Sequence, residues 1–240
     1  MVLLAFEGGF GFHNGKMARL LFITGTDTGV GKTVLTALLA RFLRERGVNA
    51  AALKPVCSGG RGDAREFFAA MDGVLALDEI NPWHFRAPLA PLLAARRERK
   101  HVHLFEVLAH VRAVQKKFDV LLIEGAGGLL SPLGENFDSG DLMAALGAQP
   151  IIVATNRLGA VNNILLTLEA LPRSAAARAR VVMVSPPKRD AAAVTNAKLL
   201  AGFFDAKRIF TLPWLGEHFP TGETLKNPQV RRTLMALARL

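Results

Sequence analysis

Cysteine is nearly missing from this chain: Cys57 is the single one among 240 residues. An intrachain disulfide is therefore impossible, and so is a cysteine-rich zinc site. The usage fits a reducing cytoplasm. No apolar run reaches the roughly 20 residues that span a bilayer as a helix, and no membrane association is expected. The opening MVLLAFEGGFGFHNGKM lacks both a basic leading segment and an A-x-A-like cleavage site, so it does not read as a signal peptide. Internal repeats and low-complexity tracts are missing as well. Negative charge is in short supply, with 20 Asp and Glu against 30 Lys and Arg, a balance of +10. Such an excess favours anionic partners in general. Its densest cluster, RRERKH at 96–101, has no interleaved aromatics and reads as a solvated helix end; no nucleic-acid partner is expected.

What is present is a globular composition, half hydrophobic, long enough for one large domain with a substantial core. Short β-branched or apolar runs at 19–24, 49–56, 119–125, 150–155, 180–185 and 208–213 read as strands. Helical patterns occupy 32–46, 104–117, 160–171 and 190–204; in the third, Ile164, Leu165, Leu168 and Leu171 share a face. Strands alternating with helices imply a single α/β domain, a mostly parallel sheet with helices on both faces. Residues 1–16 read as an extension outside the core, with 17–240 forming the domain. The region 72–103, holding Pro82, Pro88 and Pro91, reads as an irregular excursion. The basic, amphipathic tail QVRRTLMALARL (229–240) fits a final helix docking Leu234 and Leu237 onto the domain, or a surface helix on an anionic membrane.

The most informative stretch is LFITGTDTGVGKTVLTALLA, residues 21–40. A strand runs into a glycine-rich loop and a helix begins near Lys32, the context in which G-x-x-x-x-G-K-[ST] cradles phosphate. Backbone N–H groups of Gly29, Val30 and Gly31 can wrap an oxyanion at the positive end of the helix. Lys32 is placed to reach the β- and γ-phosphates, the Thr33 hydroxyl to bind Mg²⁺, and Val34 follows in the first turn. A nucleotide-binding, P-loop NTPase-like domain is the expectation. The pattern is off by one, however: its first glycine belongs at 26, where Thr26 stands, and Gly25 comes a residue early. Partitioning-type ATPases place a second lysine five positions before the main one, and Asp27 occupies that position.

GTDTGVGKT resembles the G-T-D-T-x-V-G-K-T loop of the dethiobiotin synthetase family. Four further stretches share the resemblance in order: KPVCSG (54–59), EGAGGLLSPL (124–133), RLGAVNNILLT (157–167) and LPWLGE (212–217). The resemblance implies an ATP- and Mg²⁺-dependent ligase that closes a cyclic urea from 7,8-diaminononanoate and CO₂ or bicarbonate, through a carbamate and its mixed anhydride with phosphate. It implies Lys32 and Lys54 as catalytic residues, and Thr33, Asp63 and Glu124 as magnesium ligands, three hard oxygens of the kind Mg²⁺ prefers. Asp63 in SGGRGDAREFF also suits a helix N-cap, and Glu124 also suits an ordinary charged strand end. Gly125, Ala126 and Gly127 let backbone approach the nucleotide, and Pro213, Trp214 and Leu215 border it. Family members carry an adenine-reading asparagine near the end of the 180–185 strand; Ser185 is the partial substitute. Thr28 and Ser58 face the diamine or its carbamate. Its distal carboxylate meets the N–H groups of Gly159, Ala160, Val161 and Asn162, contributed by the second subunit of a homodimer. A nucleotide-switched partitioning ATPase is the alternative, and Asp27 stands against it.

Overall fold

The structure, a computed structural model, describes residues 18–188, 190–216 and 221–239. The 1–16 extension, Glu217 of the LPWLGE stretch and the final Leu240 lie outside the described residues.

Six strands form one sheet: β1 (Arg19–Gly25), β2 (Ala50–Leu53), β3 (Val120–Gly128), β4 (Gln149–Thr155), β5 (Arg180–Val184) and β6 (Ile209–Leu212). Their order is β6-β5-β4-β1-β3-β2, and every pairing is parallel. Successive side chains point to opposite faces, yet all four residues of β2 and residues 120–126 of β3 are buried. Both faces are therefore covered, which is why these strands read as continuous apolar runs. Among the described residues, eight helices of seven or more residues pack around the sheet: α1 (Lys32–Glu45), α2 (Gly62–Ala70), α3 (Pro91–Arg97), α4 (Leu104–Gln115), α5 (Ser139–Leu146), α6 (Ala160–Glu169), α7 (Ala192–Leu200) and α8 (Pro228–Ala238). Chain order reverses at β1, with β3 and β2 on one side and β4 to β6 on the other, so a ligand crevice opens at its carboxyl end.

Each expected strand is found, with informative differences at the edges. The 49–56 run divides at Pro55: Ala50–Leu53 joins the main sheet, whereas Val56–Ser58 pairs in parallel with Trp83–Phe85. Proline has no N–H to continue a ladder. The 72–103 region is not irregular. It holds that second strand, a helical turn at Leu77–Ile80 and α3, which Pro91 opens at a first-turn position suited to its fixed φ. Helix α5 was not anticipated. Its start is written in DSGD: Asp138 Oδ1 accepts from the Asp141 N–H at 2.9 Å, and Asp141 Oδ2 accepts from the Asp138 N–H at 3.0 Å, a reciprocal cap.

The tail settles onto the domain. In α8, Val230, Leu234 and Leu237 are fully buried, packed in the layer of α1 and β6. Its apolar face is thus covered by protein. RRERKH behaves as a solvated helix end, with Arg96 and Arg97 closing α3. No described helix is long and apolar enough to cross a membrane.

Candidate active site

The loop between β1 and α1 explains the displaced glycine. Gly29 and Gly31 have φ of 73° and 97°, the left-handed region where a Cβ is costly. Thr26 is not among the described non-glycine residues with positive φ. Its N–H donates to the Val153 carbonyl at 2.9 Å and so prolongs the β1–β4 ladder. Residue 26 therefore has no need to be glycine. Residue 25 does: a Cβ there would stand 2.8 Å from the Asp27 carbonyl, 2.8 Å from a Val30 methyl and 3.0 Å from Lys32 Nζ. The loop folds back over this position, and only hydrogen fits.

Lys32, at the head of α1, is nearly buried and donates from Nζ to the Asp27 carbonyl at 2.8 Å. Burial first, and repulsion from Lys54 second, lower its pKa to about 8. One residue on, the Thr33 hydroxyl lies 2.9 Å from Asp63 Oδ1 and 3.1 Å from Glu124 Oε1. Both carboxylates also meet Lys54: its Nζ is 2.8 Å from Asp63 Oδ2 and 2.7 Å from Glu124 Oε1, and it donates to the Gly125 carbonyl at 3.0 Å. Burial pulls the Lys54 ammonium down, but Glu124 and Asp63 outweigh it and hold its pKa above the ordinary lysine value. Burial likewise raises the Asp63 carboxyl, and Lys54 more than reverses that, leaving it below the usual range. Lys54 and Asp63 thus favour each other's charged forms.

Each element sets one member of this cluster. Glu124 pairs with Ile23 in the β3–β1 ladder, and its side chain is wholly enclosed. After that pair β3 advances four residues while β1 advances two, so Gly125, Ala126 and Gly127 bulge out of register. A Cβ on Gly125 would come 2.8 Å from Ser139 Oγ, and Gly127 has φ of 67°. Lys54 sits where β2 ends, fixed by its N–H to the Ile80 carbonyl at 2.9 Å and by Asn81 Nδ2 on its own carbonyl at 2.6 Å. Asp63 occupies the first turn of α2, which begins at Gly62 with Arg61 at the cap. Asp63 is not the cap; its carboxylate faces Thr33 and Lys54.

These groups line one cavity of about 770 Å³ together with Thr28, Ser58, Ala126 and Gly127. Its far wall is Pro88, Leu89, Ala90 and Pro91. The Ser58 hydroxyl donates to the Leu89 carbonyl and ties that wall down. A second cavity, about 340 Å³, lies across the phosphate loop between Val30, Val34, Ser185, Pro213, Trp214 and Leu215. Gly159, Ala160, Val161 and Asn162 form the start of α6, with Gly159 at φ 86°, and line neither of these cavities. The single chain thus brings the loop, Lys54, Ser58, Asp63 and Glu124 together, sets Ser185 and 213–215 beside the loop, and leaves 159–162 outside both cavities.

Sequence reasoning missed Thr36, Asn81 and the 88–91 wall. Thr36 was findable: it stands one turn beyond Thr33 on the same helix face. Asn81 and the wall carry no local signal.

As a donor set, the Thr33 hydroxyl and the Asp63 and Glu124 carboxylates are hard oxygens converging from three elements. They fit Mg²⁺, which takes one or two carboxylates beside phosphate and water.

A parallel sheet whose first strand feeds a phosphate loop, with acidic and basic groups gathered at the switch point, defines a P-loop nucleotide-binding protein. A family model described as an AAA domain matches residues 19–220. A ParA family ATPase from Chlorobium tepidum superposes with a TM-score of 0.58 at 14% identity, over 92% of this chain and 99% of that one. The MinC:MinD cell division complex of Aquifex aeolicus gives 0.57 at 15%, over 92% and 95%; at such identities the fold alone is shared. Sequence similarity is narrower. The ATP-dependent dethiobiotin synthetase of Anaeromyxobacter dehalogenans is 41% identical over 201 residues, 82% of this chain and 90% of its own length. That of Akkermansia muciniphila is 37% identical over 200 residues, 83% and 91%. The chain belongs to the dethiobiotin synthetase family, a family of ATP-dependent ligases.

Proposed function

We propose that this protein makes dethiobiotin, an intermediate of biotin synthesis, by ATP-driven ring closure of 7,8-diaminononanoate with CO₂. The observation that carries the reading is the convergence of Lys32, Thr33, Lys54, Asp63 and Glu124 on one cavity beside the phosphate loop. A cavity of that size takes a triphosphate tail and a small carboxylated amine together.

One amine of the diamine adds to CO₂ and loses a proton, giving a carbamate. A carbamate oxygen then takes the γ-phosphoryl group as the bond to ADP breaks. The second amine attacks the carbamoyl carbon and loses a proton as phosphate leaves, and the cyclic urea is closed. Carbamate and triphosphate are both anionic, so the residues contribute chiefly position and positive charge. Lys32 reaches from the loop to the β- and γ-phosphates. Lys54, held ionised between two carboxylates, faces the carbamate oxygen and the charge that grows there during transfer. Thr28 and Ser58 flank the reacting nitrogen. Backbone N–H groups of Gly29, Val30 and Gly31, with Val34 beside them, hold the phosphates, and Gly125 to Gly127 border the nucleotide. When bound, Mg²⁺ would neutralise phosphate charge, and Thr33, Asp63 and Glu124 are the residues that would hold it. Ser185, Pro213, Trp214 and Leu215 form the base and ribose side. The start of α6, at Gly159 to Asn162, binds the distal carboxylate of substrate in the partner subunit of a homodimer; that these residues do not line this chain's own cavity supports that assignment. We place the enzyme in the cytoplasm.

A nucleotide-switched partitioning ATPase is less well supported, because Asp27 stands in the second-lysine position and the tail's apolar face is taken up by the core. Incubation with ATP, Mg²⁺, bicarbonate and the diamine tests the reading. ADP and dethiobiotin should form in equal amounts and only with diamine present. ATP hydrolysis indifferent to the diamine would overturn it.

A further inference from the structure

Glu124 is a carboxylate sealed from solvent, with a side chain 0% exposed, and its two oxygens have different company. Oε1 meets Lys54 Nζ at 2.7 Å and the Thr33 hydroxyl at 3.1 Å, on the cavity side. Oε2 meets the Thr36 hydroxyl at 2.8 Å, and no other side-chain hydrogen bond to it is found among the described residues. Thr36 is itself fully buried. Its hydroxyl also lies 2.9 Å from the Lys32 carbonyl one turn back, the contact any helical threonine makes with its own backbone. A hydroxyl donates only one hydrogen. The carboxylate is the stronger acceptor, because a charged partner roughly doubles the strength of such a bond. The proton therefore points to Glu124, and the Lys32 carbonyl keeps its helical N–H partner.

We infer that Thr36 is a positioning residue for the catalytic centre: its hydroxyl pins Glu124 Oε2, so that Oε1 alone is presented to Lys54, Thr33 and the metal. The inference rests on the reading of Thr33, Asp63 and Glu124 as the magnesium set. Thr33 and Lys54 are the cavity-side partners of Glu124, and both line the cavity itself. Thr36 is fully buried and is not among the residues lining that cavity. It is the fixed end about which the carboxylate is oriented, and it ties β3 to the helix that carries Lys32. Without it, a buried anionic oxygen loses its donor and the carboxylate is free to turn toward Lys54, the nearest cation. Oxygens behind a metal's own ligands typically matter by about 10- to 100-fold in metal affinity or activity.

Thr36→Val removes the hydroxyl at nearly constant shape; Thr36→Ser keeps it and removes only the methyl. Mn²⁺ serves as a paramagnetic substitute, and its affinity is measured by electron paramagnetic resonance on the full chain with ADP present. Thr36→Val should weaken Mn²⁺ binding about 10- to 100-fold, while ADP binding without metal changes less than about threefold. Thr36→Ser should match the wild type. If Thr36→Val does not fold, Thr36→Cys, with a weak donor of similar size, should give an intermediate loss. Unchanged Mn²⁺ affinity in the valine or cysteine variant, with only the melting temperature lowered, would show that the hydroxyl merely caps a buried charge and would overturn the inference. An equal loss in Thr36→Ser would do the same. Because this readout needs no diamine, it stands apart from the activity: normal Mn²⁺ behaviour with failed ring closure would remove the proposed function and leave Thr36 untouched.

Discussion

Gly29, Gly31 and Val34 are shared by two cavities that otherwise have little in common. On the Lys54 side, two lysines, two carboxylates and threonine hydroxyls are held at hydrogen-bonding distances from α1, β2, β3 and α2. Toward Trp214, the lining is mostly apolar, from Val30, Val34, Val184, Pro186, Pro187, Pro213 and Leu215, with Thr155 and Ser185 the polar side chains among the described residues. Trp214 itself is 45% exposed. The difference suits the work proposed for each side. Moving a phosphoryl group between anions requires fixed charge, since the stabilisation comes from groups already in place as negative charge shifts. Holding a base requires flat apolar surface and tolerates slack, because stacking and burial are non-directional. Substitutions on the first side should therefore remove chemistry, and those on the second should weaken binding.

Lys32→Ala should have the largest effect. A lysine about 4 Å from a single phosphate charge contributes roughly 4 kcal/mol at an effective dielectric near 20, so turnover in the ADP-release assay should fall about a thousandfold or more. Turnover within tenfold of wild type would erase the contrast between the cavities. Lys54→Gln comes next. Product formation should drop about 10²- to 10³-fold, the usual cost of one preorganised donor at a developing charge, while ATP affinity measured by calorimetry stays within about threefold. Equal losses of binding and product would move Lys54 to the nucleotide. Trp214→Ala sharpens the other side: loss of one stacking partner, about 1–3 kcal/mol, should raise the KM for ATP and leave kcat alone. A fall in kcat at saturating ATP would join the two cavities into one machine. Leu237→Ala should cost stability by about 2–5 kcal/mol, read as a lower melting temperature, with no change in kcat at 25 °C. Loss of kcat there would tie α8 to the chemistry.

How much of this was legible before the chain folded differs residue by residue. Lys32 and Thr33 were, because a strand, a glycine-rich loop and a helix start are all local and lie within a dozen residues. The unusual Gly25 was visible but unexplained. Its reason is the return of Asp27, Val30 and Lys32 over one spot, a fact of loop shape that spacing alone does not convey. Asp63 suits both a cap and a ligand in the sequence; with α2 starting at Gly62 it is not the cap, and its carboxylate meets Thr33 and Lys54. Helix α5 is missing from the expected elements although the reciprocal cap of Asp138 and Asp141 announces it. In the 72–103 segment, the prolines suggest a break, yet Trp83–Phe85 becomes a strand by pairing with Val56–Ser58 and Pro91 opens α3.

The sequence by itself determined what is built from neighbours: an alternating α/β chain, a phosphate loop with its lysine and threonine, and the G-A-G-G stretch that departs from strand geometry. Tertiary structure alone decided which charges meet. Lys54 and Glu124 are 70 residues apart, Thr33 and Asp63 are 30 apart, and Thr36 reaches Glu124 across 88. Backbone propensity acts over a few residues, whereas the orientation of a buried carboxylate is set by whichever donors the packed sheet and helices bring against it.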